Sequence, residues 1–285
     1  MNKSLELSGV WLWLTAPIAV LLLVAAGAGV FIEGLYHDAP SFAAQARGQD
    51  LVSLVVVLPL LIVAAVLARR GSARARLIWL GAMIYLVYCY ALAAFDVKFN
   101  PLFLVYVALL GCSLYGLIGG LATLDMAAVK ARFTDRTPAK AVSIYLVVLA
   151  FLFYMLWLKE TVPATLTGRV PQSVIDEGIP TNGVHVLDMA WILPALVIAA
   201  VSLWRKRALG YVLAGATLAY VALLVLAILS MVAFMVMDGH AVAAPQVAIF
   251  GMVLAASVGA LAWFLSCLGR GSPVTGLPSA GATER

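Results

Sequence analysis

Long apolar runs separated by short polar interruptions fill the chain from residue 9 to residue 267. A helix needs about 20 apolar residues, each rising about 1.5 Å, to cross a hydrocarbon layer roughly 30 Å thick. Eight windows meet that length: 9–34, 51–68, 77–95, 101–123, 141–158, 185–204, 208–237 and 241–267. A charge at the centre of such a helix costs about 2.5–3.5 kcal/mol, and these windows keep their charges near the ends. The pattern predicts an all-α integral membrane protein with eight transmembrane helices.

The interruptions alternate in charge. Arg69, Arg70, Arg74 and Arg76 crowd the second, Lys130, Arg132, Arg136 and Lys140 the fourth, and Arg205-Lys206-Arg207 the sixth. The odd loops hold mixed or acidic sets: Asp38, Arg47 and Asp50; Asp96 and Lys98; Lys159 and Arg169 against Glu160, Asp176 and Glu177; then Asp238 with His240. Basic residues resist translocation, so loops two, four and six are expected in the cytoplasm. Both termini then lie there too, in a multi-pass protein of the cell (inner) membrane. The run from Gly9 to Ile32 behind Lys3 exceeds the 7–15 residues, roughly, of a cleavable signal core, so it is read as a retained first span.

Composition sharpens this picture. Hydrophobic residues make up 65% of the 285 and charged residues 11%, against roughly 45–50% and about 25% in soluble domains. Lipid must therefore cover the surplus apolar surface. The net charge of +5 resides in the loops, with no basic face interleaved with exposed aromatics, so a nucleic-acid partner is not expected. Cys89, Cys112 and Cys267 each sit inside an apolar run without a CxxC spacing and read as small buried hydrophobes. No Walker lysine motif, Gly-x-Ser-x-Gly elbow or dinucleotide fingerprint occurs.

A weak internal echo suggests a parallel duplication of a four-helix unit. At a shift of 135, six of the sixteen positions from Leu51 to Val66 are identical, including Pro59 with Pro194. Both segments run into a basic turn and a tyrosine-bearing helix. Four spans separate the copies, so both would insert in the same orientation. The expected organisation is 1–123 as the first unit, 124–140 as a cytoplasmic connector, 141–267 as the second unit and 268–285 as a disordered tail. Leu121 to Phe133 is read as a cytoplasmic continuation of the fourth helix, and residues 159–184 as an external cap or tether. Gly116-x-x-x-Gly120 permits close helix approach, and Asn100-Pro101 starts the fourth span.

Candidate chemistry gathers on the external side. Glu33 and His37 are four apart, and His185 and Asp188 three apart, so each pair would share a helical face. An ionisable group at span depth must be paired or face water, which makes these four the first binding candidates. Tyr85 and Tyr88 share a face of the third span and complete the binding set. His37, His185 and His240 are the candidate metal or haem ligands, although no HxxH or HExxH spacing supports them. Trp11, Trp13, Trp157 and Trp204 fall at span edges, as an interfacial aromatic belt requires. Three functions are compatible with this set. The leading one is a transporter-like or small-molecule-binding protein with an outward-facing polar pocket between two halves. The others are a membrane-embedded haem- or metal-dependent oxidoreductase, and an accessory subunit contacting other members of a larger membrane complex. The bilayer is the partner common to all three.

Overall fold

The computed structural model describes residues 10–269; the sequence-expected tail from 270 onward lies outside them. Eight helices are long and apolar enough to cross a membrane: α1 (Val10–Phe31), α2 (Pro40–Arg69), α3 (Ala73–Phe95), α4 (Phe103–Ala122), α6 (Ala139–Thr167), α8 (Gly183–Trp204), α9 (Ala208–Met237) and α10 (Ala244–Ser266). Two short helices, α5 (Met126–Ala131) and α7 (Gln172–Glu177), lie in the fourth and fifth loops. Among the described residues the only β pairing is an isolated bridge between Phe133 and Leu268.

Three boundaries depart from the sequence reading. α2 starts at Pro40, well before the apolar run, because proline is tolerated in a first turn and the following Ala-rich stretch favours helix. Asp50, expected to flank the membrane, is therefore buried inside the helix. α6 continues past Lys159 to Thr167 and tolerates Pro163, which leaves the fifth loop only α7 and its flanks. The fourth helix does not extend to Phe133. It stops at Ala122, where the Thr123 hydroxyl donates back to the Gly119 carbonyl at 2.6 Å. Asp125 then caps α5 by accepting from the Ala128 N–H at 2.9 Å.

α3 forms the axis of the molecule. Its Trp79, Met83, Tyr85 and Leu86 are all fully enclosed, and the Trp79 indole N–H donates to the Thr15 hydroxyl of α1 at 2.9 Å. α9 crosses α3 closely because Gly81 has no side chain: a Cβ there would lie 2.6 Å from the Ala216 carbonyl oxygen. α4 is approached by Trp11 and Trp79 at Gly119 and Gly120, which assigns the small residues to packing against indoles. α10 is the least covered span, with Ser257, Phe264 and Leu265 its buried residues.

Several local features recur 135 residues apart. Each of α2 and α8 contains one π-helical segment, Ser53–Val57 and Asp188–Ile192, followed at once by Leu-Pro. Both helices end in the same turn. Gly71 and Lys206 have positive φ of 88° and 52°. Ser72 N–H donates to Leu67 O, and Arg207 N–H to Ser202 O. The next helices then start at Ala73 and Ala208. Tyr85 and Tyr220 keep the same spacing on α3 and α9.

The basic turns meet at one end of the bundle. Arg132 donates to the Gly71 carbonyl at 3.0 Å, Arg74 to the Leu265 carbonyl at 2.9 Å, and Lys140 lies 5.8 Å over the Trp204 ring. At the opposite end Arg47 pairs with Asp238 at 3.4 Å, and Asp38 accepts from the Lys98 N–H at 2.9 Å. Asp96 there accepts from the Gly183 N–H at 3.0 Å. Asp96 thus ties α3 to the start of α8 and does not serve Lys98, its neighbour in sequence.

Candidate functional site

Two carboxylates lie inside the bundle near the end opposite the basic turns, each just before or within a π-helical segment. Asp50 belongs to α2. Tyr36, in the connection from α1, donates its hydroxyl to Asp50 in a short hydrogen bond. Burial beside this carboxylate pushes the Tyr36 hydroxyl far above its ordinary pKa, so it remains a donor. Gly29 of α1 makes room for the pair, because a Cβ there would collide with the Asp50 carboxylate and approach the Tyr36 hydroxyl to 2.8 Å. Three residues further along α2, the Ser53 hydroxyl lies 2.9 Å from the Tyr85 hydroxyl of α3. Asn100 donates to Tyr106 at 3.4 Å on the neighbouring α4 side.

Asp188 opens the π segment of α8 and is held differently. One oxygen accepts from the Trp157 indole N–H of α6 at 2.9 Å. The other oxygen is buried and makes no hydrogen bond of ordinary geometry among the described residues, and neither does the Tyr220 hydroxyl of α9, while the Tyr88 hydroxyl lies close enough to act on the carboxylate as a looser donor. Tyr88 of α3 packs edge-on against Tyr220 with ring centroids 5.9 Å apart, and both hydroxyls lie within electrostatic reach of Asp188. His185, one turn earlier on α8, packs against Trp157 with a 4.4 Å ring separation, and its Nε2 lies 3.9 Å from Glu160. Tyr154 donates to the Met189 carbonyl inside the π segment at 3.0 Å. Four helices, α3, α6, α8 and α9, therefore converge on one carboxylate walled by aromatic rings.

The approach to this cluster is acidic. Glu160 accepts from the Ser173 N–H at 3.0 Å, and Gln45 donates to Glu177 at 3.3 Å. Burial raises the Glu177 carboxyl above its ordinary pKa, and the nearby Asp96, Asp176 and Glu160 charges raise it further. Burial likewise raises Asp96, partly offset by the Gly183 N–H. Among the described residues, no lysine or arginine contacts Asp188.

The sequence-derived candidates separate into two groups. His185, Asp188 and Tyr88 come together, while Tyr85 lies one step away on Ser53. Glu33 and His37 do not share a helical face, because α1 ends at Phe31 and Gly34 turns the chain at φ 73°. Both are exposed and make no hydrogen bond or ion pair among the described residues. His240 sits in the turn between α9 and α10, its N–H bonded to Met235 O. No group of three or more His, Cys, Asp or Glu side chains with metal-binding geometry occurs among the described residues.

Sequence reasoning missed Asp50 with Tyr36, and it assigned Trp157 to the interfacial belt. Tyr220 belongs to the tyrosine-bearing helix of the second copy and repeats Tyr85 at the 135-residue shift, but is not among the sequence-derived site candidates. That shift was the available signal for Tyr220. Pro40, as a helix-starting residue, was the signal for Asp50. No family model matches the chain, and comparison with curated proteins and with solved structures finds no significant match.

Proposed function

We propose that the protein is a transporter-like membrane protein that binds a small cation at Asp188, at the junction of two parallel four-helix units. The observation that carries this reading is the buried Asp188 carboxylate, which meets no cationic side chain among the described residues and has one oxygen without a hydrogen bond of ordinary geometry. An ionised carboxylate held away from water costs several kcal/mol unless a positive partner or added hydrogen bonds compensate it. The acidic approach formed by Glu160, Glu177 and Asp96 concentrates cations at the entrance. The missing positive charge is then the ligand, which ranges from a proton to an alkali or ammonium ion.

Two further observations support the duplicated arrangement. The π segments, prolines and basic turns repeat at one spacing in α2–α3 and α8–α9. The crossing of α3 and α9 brings Gly81 against Ala216, its counterpart at that spacing. Such self-matching contact is expected on a pseudo-twofold axis along the membrane normal. With the basic turns in the cytoplasm, the Asp188 site faces outward.

Purified protein in proteoliposomes tests the proposal. Proton entry is followed with an entrapped pH dye, and sodium or tetramethylammonium entry with isotope, in wild type and in Asp188→Asn. One of the three cations should move, or should raise the Tm of the wild type, and the variant should lose that response by tenfold or more while eluting as a folded protein. Equal responses in both proteins, or none in either, would remove Asp188 as the site.

A further inference from the structure

The basic end of the bundle holds a feature unrelated to Asp188. A groove of about 520 Å³ runs between α6 and α8, lined by Ser143, Ile144, Val147 and Val148 on one side and Ala200, Val201, Trp204 and Arg205 on the other. Its floor exists because two small residues face each other: Ser143 and Ala200 are buried while Ile144, Val148, Val201 and Trp204 rise as exposed walls. From Ser143 to Val148, and from Ala200 to Arg205, the lining follows about 7.5 Å of each helix at 1.5 Å per residue, about a quarter of the roughly 30 Å hydrocarbon layer. Its length thus suits the headgroup-proximal half of one acyl chain.

The two ends of the groove differ. The deep end is entirely aliphatic. The shallow end carries Arg205, and Lys140 stands over the Trp204 ring at 5.8 Å. Indole rings favour the headgroup level of a bilayer, so Trp204 marks the depth at which a lipid phosphate lies. Arg205 and Lys140 are exposed, and neither has an acidic partner within salt-bridge distance among the described residues. A guanidinium lining the groove and an ammonium over its interfacial indole complement a phosphodiester, with the arginine fork able to bond two of its oxygens.

We infer that this groove is a binding site for one anionic phospholipid, its phosphate between Arg205 and Lys140 and one acyl chain laid along Ser143 and Ala200. A zwitterionic lipid would fill the aliphatic part equally well but would set its own cation against two others. Basic pockets between transmembrane helices select anionic headgroups on this ground.

The test uses the full-length protein in vesicles containing equal amounts of phosphatidylglycerol and phosphatidylcholine, with one of the two brominated on its acyl chains at a time. Bromine quenches indole fluorescence on contact, and the Trp204 signal is isolated as wild type minus Trp204→Phe. Brominated phosphatidylglycerol should quench that signal at least threefold more than brominated phosphatidylcholine. The preference should vanish in Lys140→Gln/Arg205→Gln and in Ala200→Phe, which fills the groove without altering charge. Native mass spectrometry of the detergent-solubilised wild type gives a measurement independent of any variant: one retained phosphatidylglycerol is expected. Equal quenching by the two lipids, or no lipid retained by the wild type, would overturn the site.

Discussion

Asp50 and Asp188 begin from nearly the same circumstances. Each sits on a helix interrupted by a π segment and a Leu-Pro step, and each is buried near the same end of the bundle. Their neighbourhoods then part company. Asp50 is closed within the first four helices by a tyrosine hydroxyl and by the empty space at Gly29. Asp188 is surrounded by side chains from α3, α6 and α9, takes one indole N–H, and keeps one oxygen without a hydrogen bond of ordinary geometry. A buried carboxylate completed by its own protein is a structural element. One less fully satisfied, where several helices meet, is the proposed place for a cation.

The largest effect that would sharpen this contrast is expected at Gly29. In Gly29→Val a branched side chain would occupy the space of the Asp50 carboxylate and the Tyr36 hydroxyl. Overpacking and a broken buried hydrogen bond together should cost about 3 kcal/mol or more. Folded yield and Tm in detergent would register it, and an unaffected Tm would mean that Asp50 is not held as described. A middle-sized effect separates the two acids directly. Tyr36→Phe leaves Asp50 without its donor and should destabilise the protein by about 1–3 kcal/mol. Asp188→Asn should stay within about 1 kcal/mol of wild type, because the amide oxygen can still accept from Trp157 and the new N–H₂ can serve a tyrosine hydroxyl. Equal losses in the two variants, measured by denaturation on one instrument, would erase the distinction.

The smallest effect concerns the acidic approach. Burial raises the pKa of Glu177 and of Asp96, so the folded state holds their protons more tightly than the unfolded chain does. Their contribution to stability is therefore greatest at low pH and is lost as pH rises through the folded value. Between neutrality and the ordinary carboxyl pKa of 4.5, acidification should raise stability by less than about 1 kcal/mol, since both groups are partly solvated. Glu177→Gln should flatten part of that slope in a Tm-against-pH series.

Helix number was legible because hydrocarbon thickness imposes one length on every span, and eight runs of that length are present. Helix starts were less so. The polar stretch from Pro40 to Gln49 carries no apolar periodicity, yet it is helical because it packs against α9, where a Cβ on Gly48 would lie 2.6 Å from the Met231 Cα. That approach is tertiary, and the local signals for this helix are only Pro40 and the alanines that follow it. The same reason divides the candidate site. His185 and Asp188 are close in sequence and were found together, whereas Trp157, Tyr88 and Tyr220 reach them from three other helices. Glu33 and His37 were grouped by a helical spacing that ends at the turn of Gly34.

The widened turn at Asp188–Ile192 has a mechanical corollary. A π segment accommodates one residue more than the α-helix it interrupts. Moving that surplus residue along α8 would swing the outer portion of the helix by about 100°, one residue's share of a turn. Asp188 opens the segment, so a single-notch slip of the helix would change which of the surrounding side chains it meets.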